Sequence, residues 1–388
     1  MVWAIKRQAL LQGGKDNPGS SQISVRGRAS PLPADRMRGA HTSSHSLTIL
    51  AMPPSVHLPA DPLARCIGWR RFCAILALAG SAAWLTACGP RYDPPLAVGT
   101  NTWTGYEPLY LARDLGLHDG LPVRLVELGS TTQSMDALRT GQLGMAGLTL
   151  DEALTLAQEG IALKVVWVMD VSSGADALVV RPGLADLSDL RGSKVGVEQT
   201  AVGAYMLQAA LRMAGLASAD ITVVPLPMDE HLSAWRDGRV DALVTFDPVL
   251  QVLRGSGAKV LFDSREIPGE IVDVLVARKE ALDCCSQHIA QLLQAHQRAL
   301  GHLATAREDA LQRMTPRLGL TPAEMDAALG GIELPDAAAN RTLLSGPNAR
   351  LANSAQRLAA NMREQGLLHR AVDAASLIDD RFVRGNTR

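Results

Sequence analysis

Aromatic residues are scarce in this sequence, and neither sign of charge is in excess. Aromatic residues make up 4% of the 388 positions, and 38 Lys and Arg are balanced by 39 Asp and Glu. The body of the chain has no basic stripe and no Arg cluster interleaved with aromatic residues, which excludes a typical nucleic-acid-binding protein. Because aromatic residues are few, one that falls in a loop carries more information than usual.

Motifs of enzymatic chemistry are missing as well. The nine histidines show no H-E-x-x-H or other metal-binding spacing, and no Ser-His-Asp arrangement can be identified. We therefore expect no catalytic residue, no metal and no cofactor.

The five cysteines do not form a disulfide framework. Cys66 and Cys73 belong to an N-terminal leader, which leaves Cys284 and Cys285 as neighbours in the body of the chain. Adjacent cysteines rarely bridge each other because the geometry strains the backbone. We expect two free thiols at a helix start.

The first 88 residues have the composition of an export leader. Residues 1–64 are rich in Ser, Pro, Gly and Arg without apolar periodicity, which is typical of disorder. Arg70 and Arg71 then precede an apolar stretch, Phe72–Trp84, whose 13 residues are too short to span a membrane.

The leader ends in Leu85-Thr86-Ala87-Cys88, which resembles the bacterial lipobox. This pattern predicts cleavage before Cys88 and lipidation of its thiol, so that the body is exported to the periplasm and anchored to a membrane. A plain signal peptide with an incidental cysteine is the alternative. We assign residues 1–88 to a disordered leader plus lipoprotein signal peptide, and residues 89–95 to a tether.

From Leu96 onward, short β-rich runs alternate with helical periods, which predicts a mostly parallel sheet. The pattern occurs twice. Gly99 corresponds to Gly196 and Gly141 to Gly238, and both pairs are separated by 97 positions (196 − 99 and 238 − 141). Each half is therefore expected to be one α/β lobe.

Two extended runs, VWVMDVSSGADALVVRPG and FDSREIPGEIVDVLVA, are expected to cross between the lobes. They predict an α/β fold of two lobes joined by two crossing hinge strands. Residues 96–180 and 271–388 would form lobe 1, and residues 181–270 lobe 2. The helical segment from Ser286 would pack on lobe 1.

Several motifs carry a resemblance to a known family. They are G-x-x-x-W-x-G-Y-x-P-x-x-x-A from Gly99, the S-G-A-D-A-L run from Ser173, DLRGSKVGVE, RVDALVTFDPV and IVDVLVARKE. Together with the lipobox they resemble the SsuA/THI5-like (NMT1) group of ABC-transporter solute-binding proteins, whose members bind nitrate, taurine, aliphatic sulfonates or the pyrimidine precursor of thiamine. The resemblance implies the type II periplasmic-binding-protein fold. It also implies a protein that closes on a small solute by hinge motion and delivers it to an ABC permease with its ATPase subunits. A monomer is expected.

Ligands of open parallel sheets bind beyond the carboxyl ends of the strands. Trp103 is the foremost candidate, because its ring can stack on a planar solute; the alternative is an aromatic that caps the core. For Thr149 the alternative is helix capping, and for Asp247 an N-terminal helix charge. The full set of candidate ligand-binding residues is Trp103, Thr104, Tyr106, Thr149, Ser173, Asp176, Gln199, Thr200, Phe246, Asp247 and Asp273.

Charge in these loops bears on the ligand class. The acidic residues are Glu107, Asp151, Asp176, Glu198, Asp247 and Asp273, whereas the candidate basic groups are only His231 and Arg265. Because a sulfonate is usually met by Arg or Lys, the pattern favours a neutral or cationic planar solute such as an aminopyrimidine. Helix N-termini can hold an anion without such residues, so sulfonate, taurine or nitrate remains an alternative ligand. A sensory module for a membrane receptor and a THI5-like pyrimidine synthase are the alternative functions.

Overall fold

Two β-sheets with the same strand topology form the framework of the protein. The computed structural model describes residues 95–199, 202–346 and 349–384, all within the unit Pro90–Arg388. The predicted leader 1–88, the lipidation site Cys88 and residues 89–94 of the tether lie outside the described residues.

The described segments alternate between strands and helices, as predicted. The strands are β1 (Leu96–Thr100), β2 (Val123–Glu127), β3 (Met145–Thr149), β4 (Leu163–Ser172), β5 (Asp176–Val180), β6 (Lys194–Val197), β7 (Thr222–Pro225), β8 (Ala242–Phe246), β9 (Lys259–Asp263), β10 (Val272–Arg278) and β11 (Ile332–Glu333). The α-helices are α1 (Glu107–Asp114), α2 (Thr131–Arg139), α3 (Leu150–Gln158), α4 (Val202–Ala214), α5 (His231–Arg236), α6 (Val249–Gly255), α7 (Lys279–Thr305), α8 (Arg307–Leu318), α9 (Pro322–Leu329), α10 (Ala337–Leu344) and α11 (Arg350–Glu364).

The strand order is β11-β4-β10-β3-β1-β2 in the first sheet and β7-β6-β8-β5-β9 in the second. In each sheet three parallel strands (β2-β1-β3 and β7-β6-β8) are followed by an antiparallel one, β10 or β5, that the chain supplies after crossing from the other sheet. The central strands are buried on both faces by apolar side chains, as in a sheet covered by helices on both sides. The predicted two-lobe α/β architecture with two crossings is confirmed.

Strand register confirms the duplication. Gly99 pairs with Ala146 in the first sheet, and Gly196 pairs with Leu243 in the second, so both members are displaced by 97 positions (196 − 99 and 243 − 146). The same displacement relates Thr149 to Phe246 (246 − 149), each of which lies opposite an aspartate of the antiparallel strand: Asp273 in the first sheet and Asp176 in the second. Asp176 and Asp273 therefore occupy equivalent positions in the two lobes.

The two crossings lie side by side. The chain leaves the first sheet after β4 and enters the second at β5, and it returns through residues 264–271. The Ser264 hydroxyl accepts a hydrogen bond from the Gly174 backbone N–H at 2.6 Å and lies 2.8 Å from the Ser172 hydroxyl. The predicted lobe boundary after residue 180 is wrong, because β5 pairs with β8 and β9 and belongs to the second sheet.

The C-terminal helices pack on the first lobe, as the sequence predicted. Helix α7 contacts α1, β1 and β10, and α11 contacts α3. Ile289, Leu292 and Leu293 are buried along one face of α7, so its helical periodicity is confirmed. None of the helices in the described residues is long and apolar enough to cross a membrane.

The expectation of two free thiols is wrong. Cys284 and Cys285 are joined by a disulfide with an S–S distance of 2.07 Å. The bond forms within α7 because the backbone leaves the helical region at Cys285 (φ −129°, ψ 21°), and the regular geometry that would separate the two sulfur atoms is interrupted.

A buried ion pair joins α8 to α1. The Arg317 Nε donates to Glu107 Oε1 at 2.6 Å, and the guanidinium carbon lies 3.9 Å from the centre of the Tyr110 ring. Glu107, which the sequence grouped with the acidic residues of the cleft loops, is fully buried and is used in this contact instead.

Arg317→Ala is expected to lower the free energy of unfolding by about 3 kcal/mol, because the substitution leaves the buried Glu107 carboxyl without its partner. Arg313→Ala on the same helix removes an exposed pair with Asp309, and should cost less than about 1 kcal/mol. Urea denaturation of the original protein and of the two variants measures the difference in the free energy of unfolding. Equal losses in the two variants would contradict a special role for the buried pair.

Candidate ligand-binding site

A cavity lies between the two sheets, where the carboxyl ends of their parallel strands face each other. The room inside it is only about 20 Å³, the space of a single water-sized void, so the lobes leave almost no free volume between them. The lining residues among those described are Asn101, Trp103, Tyr106, Thr131, Thr149, Glu152, Asp176, Val202, Phe246 and Asp273.

The first lobe contributes two aromatic residues, each fixed by an aspartate. Trp103 Nε1 donates a hydrogen bond to Asp170 Oδ2 at 3.0 Å, and the Tyr106 hydroxyl donates to Asp273 Oδ1 at 2.5 Å. Asp170 and Asp273 are paired on the adjacent strands β4 and β10. The two hydrogen bonds therefore orient both rings from the same part of the sheet.

Gly105 lies between the two aromatic residues because no larger side chain fits at this position. A Cβ atom at this position would lie 1.7 Å from Asp170 Oδ2 and 2.5 Å from Trp103 Nε1. The Trp103–Asp170 hydrogen bond thus passes directly over the glycine, and a larger residue cannot be accommodated without breaking it. The T-G-Y sequence is needed for this close approach rather than for a tight turn alone.

The second lobe closes the cavity with Phe246 and Asp176. The rings of Phe246 and Trp103 meet edge to face, with centroids 5.6 Å apart and an interplanar angle of 84°. Trp103 therefore contacts the opposite lobe as well as lining the cavity, and is not confined to the core of its own lobe. Whether it contacts a solute stays a prediction.

Several carboxyl groups are buried around the cavity, and burial is the main cause that raises their pKa values. The pKa of Asp176 rises to about 7, with additional contributions from the charges of Asp247 and Asp151. The pKa of Asp170 rises to about 8, chiefly through burial. Burial and the charge of Asp170 raise the pKa of Asp273 well above its usual range, and burial and the charge of Asp151 do the same for Glu152.

The two candidate basic groups do not reach the cavity. His231 is buried against Thr245 Oγ1 and the Leu226 carbonyl, and burial lowers its pKa to about 4, so the ring is neutral at physiological pH. Arg265 is exposed and forms an ion pair with Asp263. No Arg or Lys occurs among the described residues that line the cavity.

The remaining predicted site residues are placed differently. Thr104 is buried, and its hydroxyl has no hydrogen-bond partner among the described residues. Asp247 is also buried and accepts a hydrogen bond from Gln251 at 3.2 Å. Ser173 and Gln199 are exposed, and neither lines the cavity. Thr200 lies outside the described residues.

Sequence reasoning missed part of the lining. Asn101, Thr131, Glu152 and Val202 line the cavity, and Asp170 holds Trp103 from behind. Asp170 could have been found, because a carboxylate in the middle of the apolar run VVWVMDV is unusual in a buried strand. Glu152 was visible only as part of a predicted capping box, and its carboxylate does accept the Thr149 backbone N–H at 2.8 Å.

The described acidic side chains around the cavity are not arranged as a metal site. Within residues 95–199, 202–346 and 349–384, no group of three or more His, Cys, Asp or Glu side chains is arranged to hold a metal ion. The carboxyl groups of Asp170, Asp273 and Glu152 instead accept hydrogen bonds from aromatic side chains and a backbone N–H group.

The duplicated sheets, the double crossing and the cavity between the lobes define a two-lobe binding protein with the periplasmic-binding-protein fold. The model of the NMT1-like family matches residues 89–315, and the chain belongs to this family. Its relatives include the taurine-binding periplasmic protein of Escherichia coli (25% identical over 183 residues, 46% of this chain and 57% of the relative). A putative aliphatic sulfonates-binding protein of the same organism is 30% identical over 146 residues, 37% of this chain and 46% of the relative. The chain thus spans about half the length of these relatives.

Solved structures share the fold. The alkanesulfonate-binding protein SsuA of Xanthomonas axonopodis pv. citri, bound to MOPS, matches with a TM-score of 0.64 at 21% identity, covering 74% of this chain and 99% of SsuA. The nitrate-binding protein NrtA of Synechocystis matches with a TM-score of 0.60 at 13% identity, covering 75% and 87%. At these identities the likeness establishes the fold alone.

The buried carboxyl groups predict that the unliganded protein loses stability as pH rises. The folded-state pKa of Asp176 is about 7 and that of Asp170 about 8, against 3.8 for an exposed aspartate. Between these limits the folded state holds protons that the unfolded state has released, so the free energy of unfolding falls with increasing pH. Denaturation at pH 5 and pH 8 should show this fall, and Asp176→Asn should reduce it. An unchanged pH slope in the variant would contradict the assignment.

Proposed function

We propose that this chain is the extracytoplasmic solute-binding component of an ABC importer, and that it captures a small planar nitrogenous solute, cationic or protonated on binding, in the interlobe cavity. Delivery to a membrane permease, action as a monomer and anchoring through Cys88 are parts of the same proposal. Membership of the NMT1-like family supports the transport role, and the relatives in the comparison are named as binding proteins rather than enzymes.

The observation that carries the choice of solute is the pair Asp176 and Asp273. The two residues occupy equivalent positions in the two sheets and line the same cavity. Each raises the electrostatic cost of ionising its neighbours, as the effect of Asp176 on the pKa of Asp273 illustrates. A cation between them would offset this repulsion only when the lobes are closed, so it would stabilise the closed form over the open one.

Aromatic side chains favour a planar solute. Trp103, Tyr106 and Phe246 all line the cavity. Trp103 and Tyr106 are already held by hydrogen bonds, so their orientation is set before a ligand enters. A flat, positively charged ring can combine stacking or cation–π contacts with hydrogen bonds to carboxylates.

Raised pKa values also suit a neutral aminopyrimidine. A protonated carboxyl can donate its O–H to a ring nitrogen while its other oxygen accepts from the adjacent amino group. Transfer of the proton to the ring would then produce the ion pair. The chemistry shared by these solutes is a planar group that carries at least one N–H donor.

Taurine is the second candidate, since one relative is named as taurine-binding. Its ammonium group could meet the aspartates. Its sulfonate would require donors, and the described lining contains no Arg or Lys side chain.

The test is a thermal-shift screen followed by calorimetry, with aminopyrimidines, benzamidine, taurine, methanesulfonate and nitrate as probes. We expect the planar nitrogenous probes to raise the melting temperature, and Asp176→Asn and Asp273→Asn to weaken their binding about tenfold or more. The control Asp136→Asn alters an exposed carboxylate on α2 and should bind like the original protein. Binding of methanesulfonate or nitrate, with no response to the nitrogenous probes, would overturn the proposed solute class.

A further inference from the structure

Two glutamates reach across the cleft in opposite directions. Glu198, directly after β6 of the second lobe, accepts hydrogen bonds from the backbone N–H of Thr132 at 3.0 Å and from the Thr132 hydroxyl. Glu152, in the first turn of α3 of the first lobe, accepts from the backbone N–H of Val202 at 3.3 Å. Each lobe thus places one carboxylate on the first turn of a helix that belongs to the other lobe.

Both helix starts border the cavity. Thr131 is the first residue of α2 and Val202 the first of α4, and both line the cavity. Backbone N–H groups in the first turn of a helix have no acceptor within the helix and attract negative charge. In this protein a carboxylate of the chain itself already accepts from one such N–H group in each helix, that of Thr132 in α2 and that of Val202 in α4.

Both glutamates are almost fully buried, with 1% of Glu152 and 4% of Glu198 exposed. One oxygen of Glu198, Oε2, has no hydrogen-bond partner among the described residues, so it leaves an unsatisfied acceptor beside the α2 N-terminus. An acceptor in this position favours a solute that donates hydrogen bonds and opposes one that only accepts them.

We propose that Glu152 and Glu198 are specificity-determining residues that occupy the anion-attracting helix N-termini of the cleft, so that the closed protein admits a hydrogen-bond-donating cation and excludes sulfonates. This inference rests on the proposed function, because it takes the interlobe cavity as the solute site.

Competition at the helix N-termini explains the exclusion. A carboxylate tethered to the facing lobe is present at a high effective concentration once the lobes approach. A sulfonate that displaced it would gain the N–H donors but leave a buried glutamate without them, and an unsatisfied buried charged group is costly.

The test compares methanesulfonate and taurine binding in the original protein and in Glu198→Gln, Glu198→Ala and Glu152→Gln. Glutamine keeps the size and an acceptor oxygen but removes the charge, whereas alanine frees the N–H groups of α2. The matched control is Glu159→Gln, a carboxylate at the outer end of α3 that pairs with Arg139. Thermal unfolding of each variant establishes that it is folded.

By isothermal titration calorimetry, methanesulfonate should bind Glu198→Ala and at least one of the two Gln variants about tenfold or more tighter than it binds the original protein and the control. Affinities that are unchanged or weaker in all three variants would overturn the inference.

The benzamidine and aminopyrimidine titrations separate this inference from the proposed function. If the original protein binds these probes but no variant gains methanesulfonate affinity, the role of the glutamates is wrong and the solute class stands. If the variants gain methanesulfonate affinity while the original protein binds none of the nitrogenous probes, the glutamates exclude anions as proposed and the solute class is wrong.

Discussion

The structure depends on one constraint: carboxyl groups from both lobes are buried around a cavity whose described lining has no basic side chain. Ionising such groups without a counter-charge is unfavourable, and their raised pKa values express that cost. The protein offsets part of it with donors from Trp103 and Tyr106 and from backbone N–H groups of two helices. On the proposed function, the acceptors left unsatisfied are what would favour a donor-bearing solute.

Duplication provides the geometry for this constraint. Each sheet receives its antiparallel strand just after the chain has crossed from the other lobe. Asp176 and Asp273 lie at the start of these two strands, close to the crossings and at matching positions in the cavity. Each crossing, the antiparallel strand that follows it and the aspartate at the cavity therefore belong to one short segment of the chain. On the proposed function, a solute between the two carboxyl groups would contact both lobes at once and so favour the closed form.

The family framework carries a set of buried acidic side chains at the cavity of this chain. Two relatives in the comparison are named for taurine and aliphatic sulfonates, yet two buried glutamates of this chain cover helix N-termini that face the cavity. The framework sets where a solute can lie, and the side chains placed on it set which charge is acceptable. On the inference proposed above, specificity would include occupation of the positions where the wrong solute would bind.

Much of the architecture was readable from local patterns. The alternation of β-rich and helical runs and the displacement of 97 positions follow from periodicity, and the Trp103, Tyr106 and Phe246 positions from the rule that loops after parallel strands meet. Asp176 and Asp273 were candidates because they lie near the expected crossings. These features depend on residues near one another in sequence. The same local reasoning placed the first crossing too late, since the SSGADALVV run looks continuous and only strand pairing shows that β5 belongs to the second sheet.

For the other acidic residues, tertiary structure alone decided which lie at the cavity. Glu107 is the first residue of α1 and lies close to Trp103 in sequence, yet its side chain pairs with Arg317, a residue 210 positions distant. Asp170 and Glu152 reach the site only because β4 pairs with β10 and because α4 of the other lobe offers its first N–H group. The sequence by itself therefore determined the elements and their duplication, since these follow from short-range periodicity. The charge environment of the cavity was decided by long-range packing, because burial and donors come from segments that are distant in the chain.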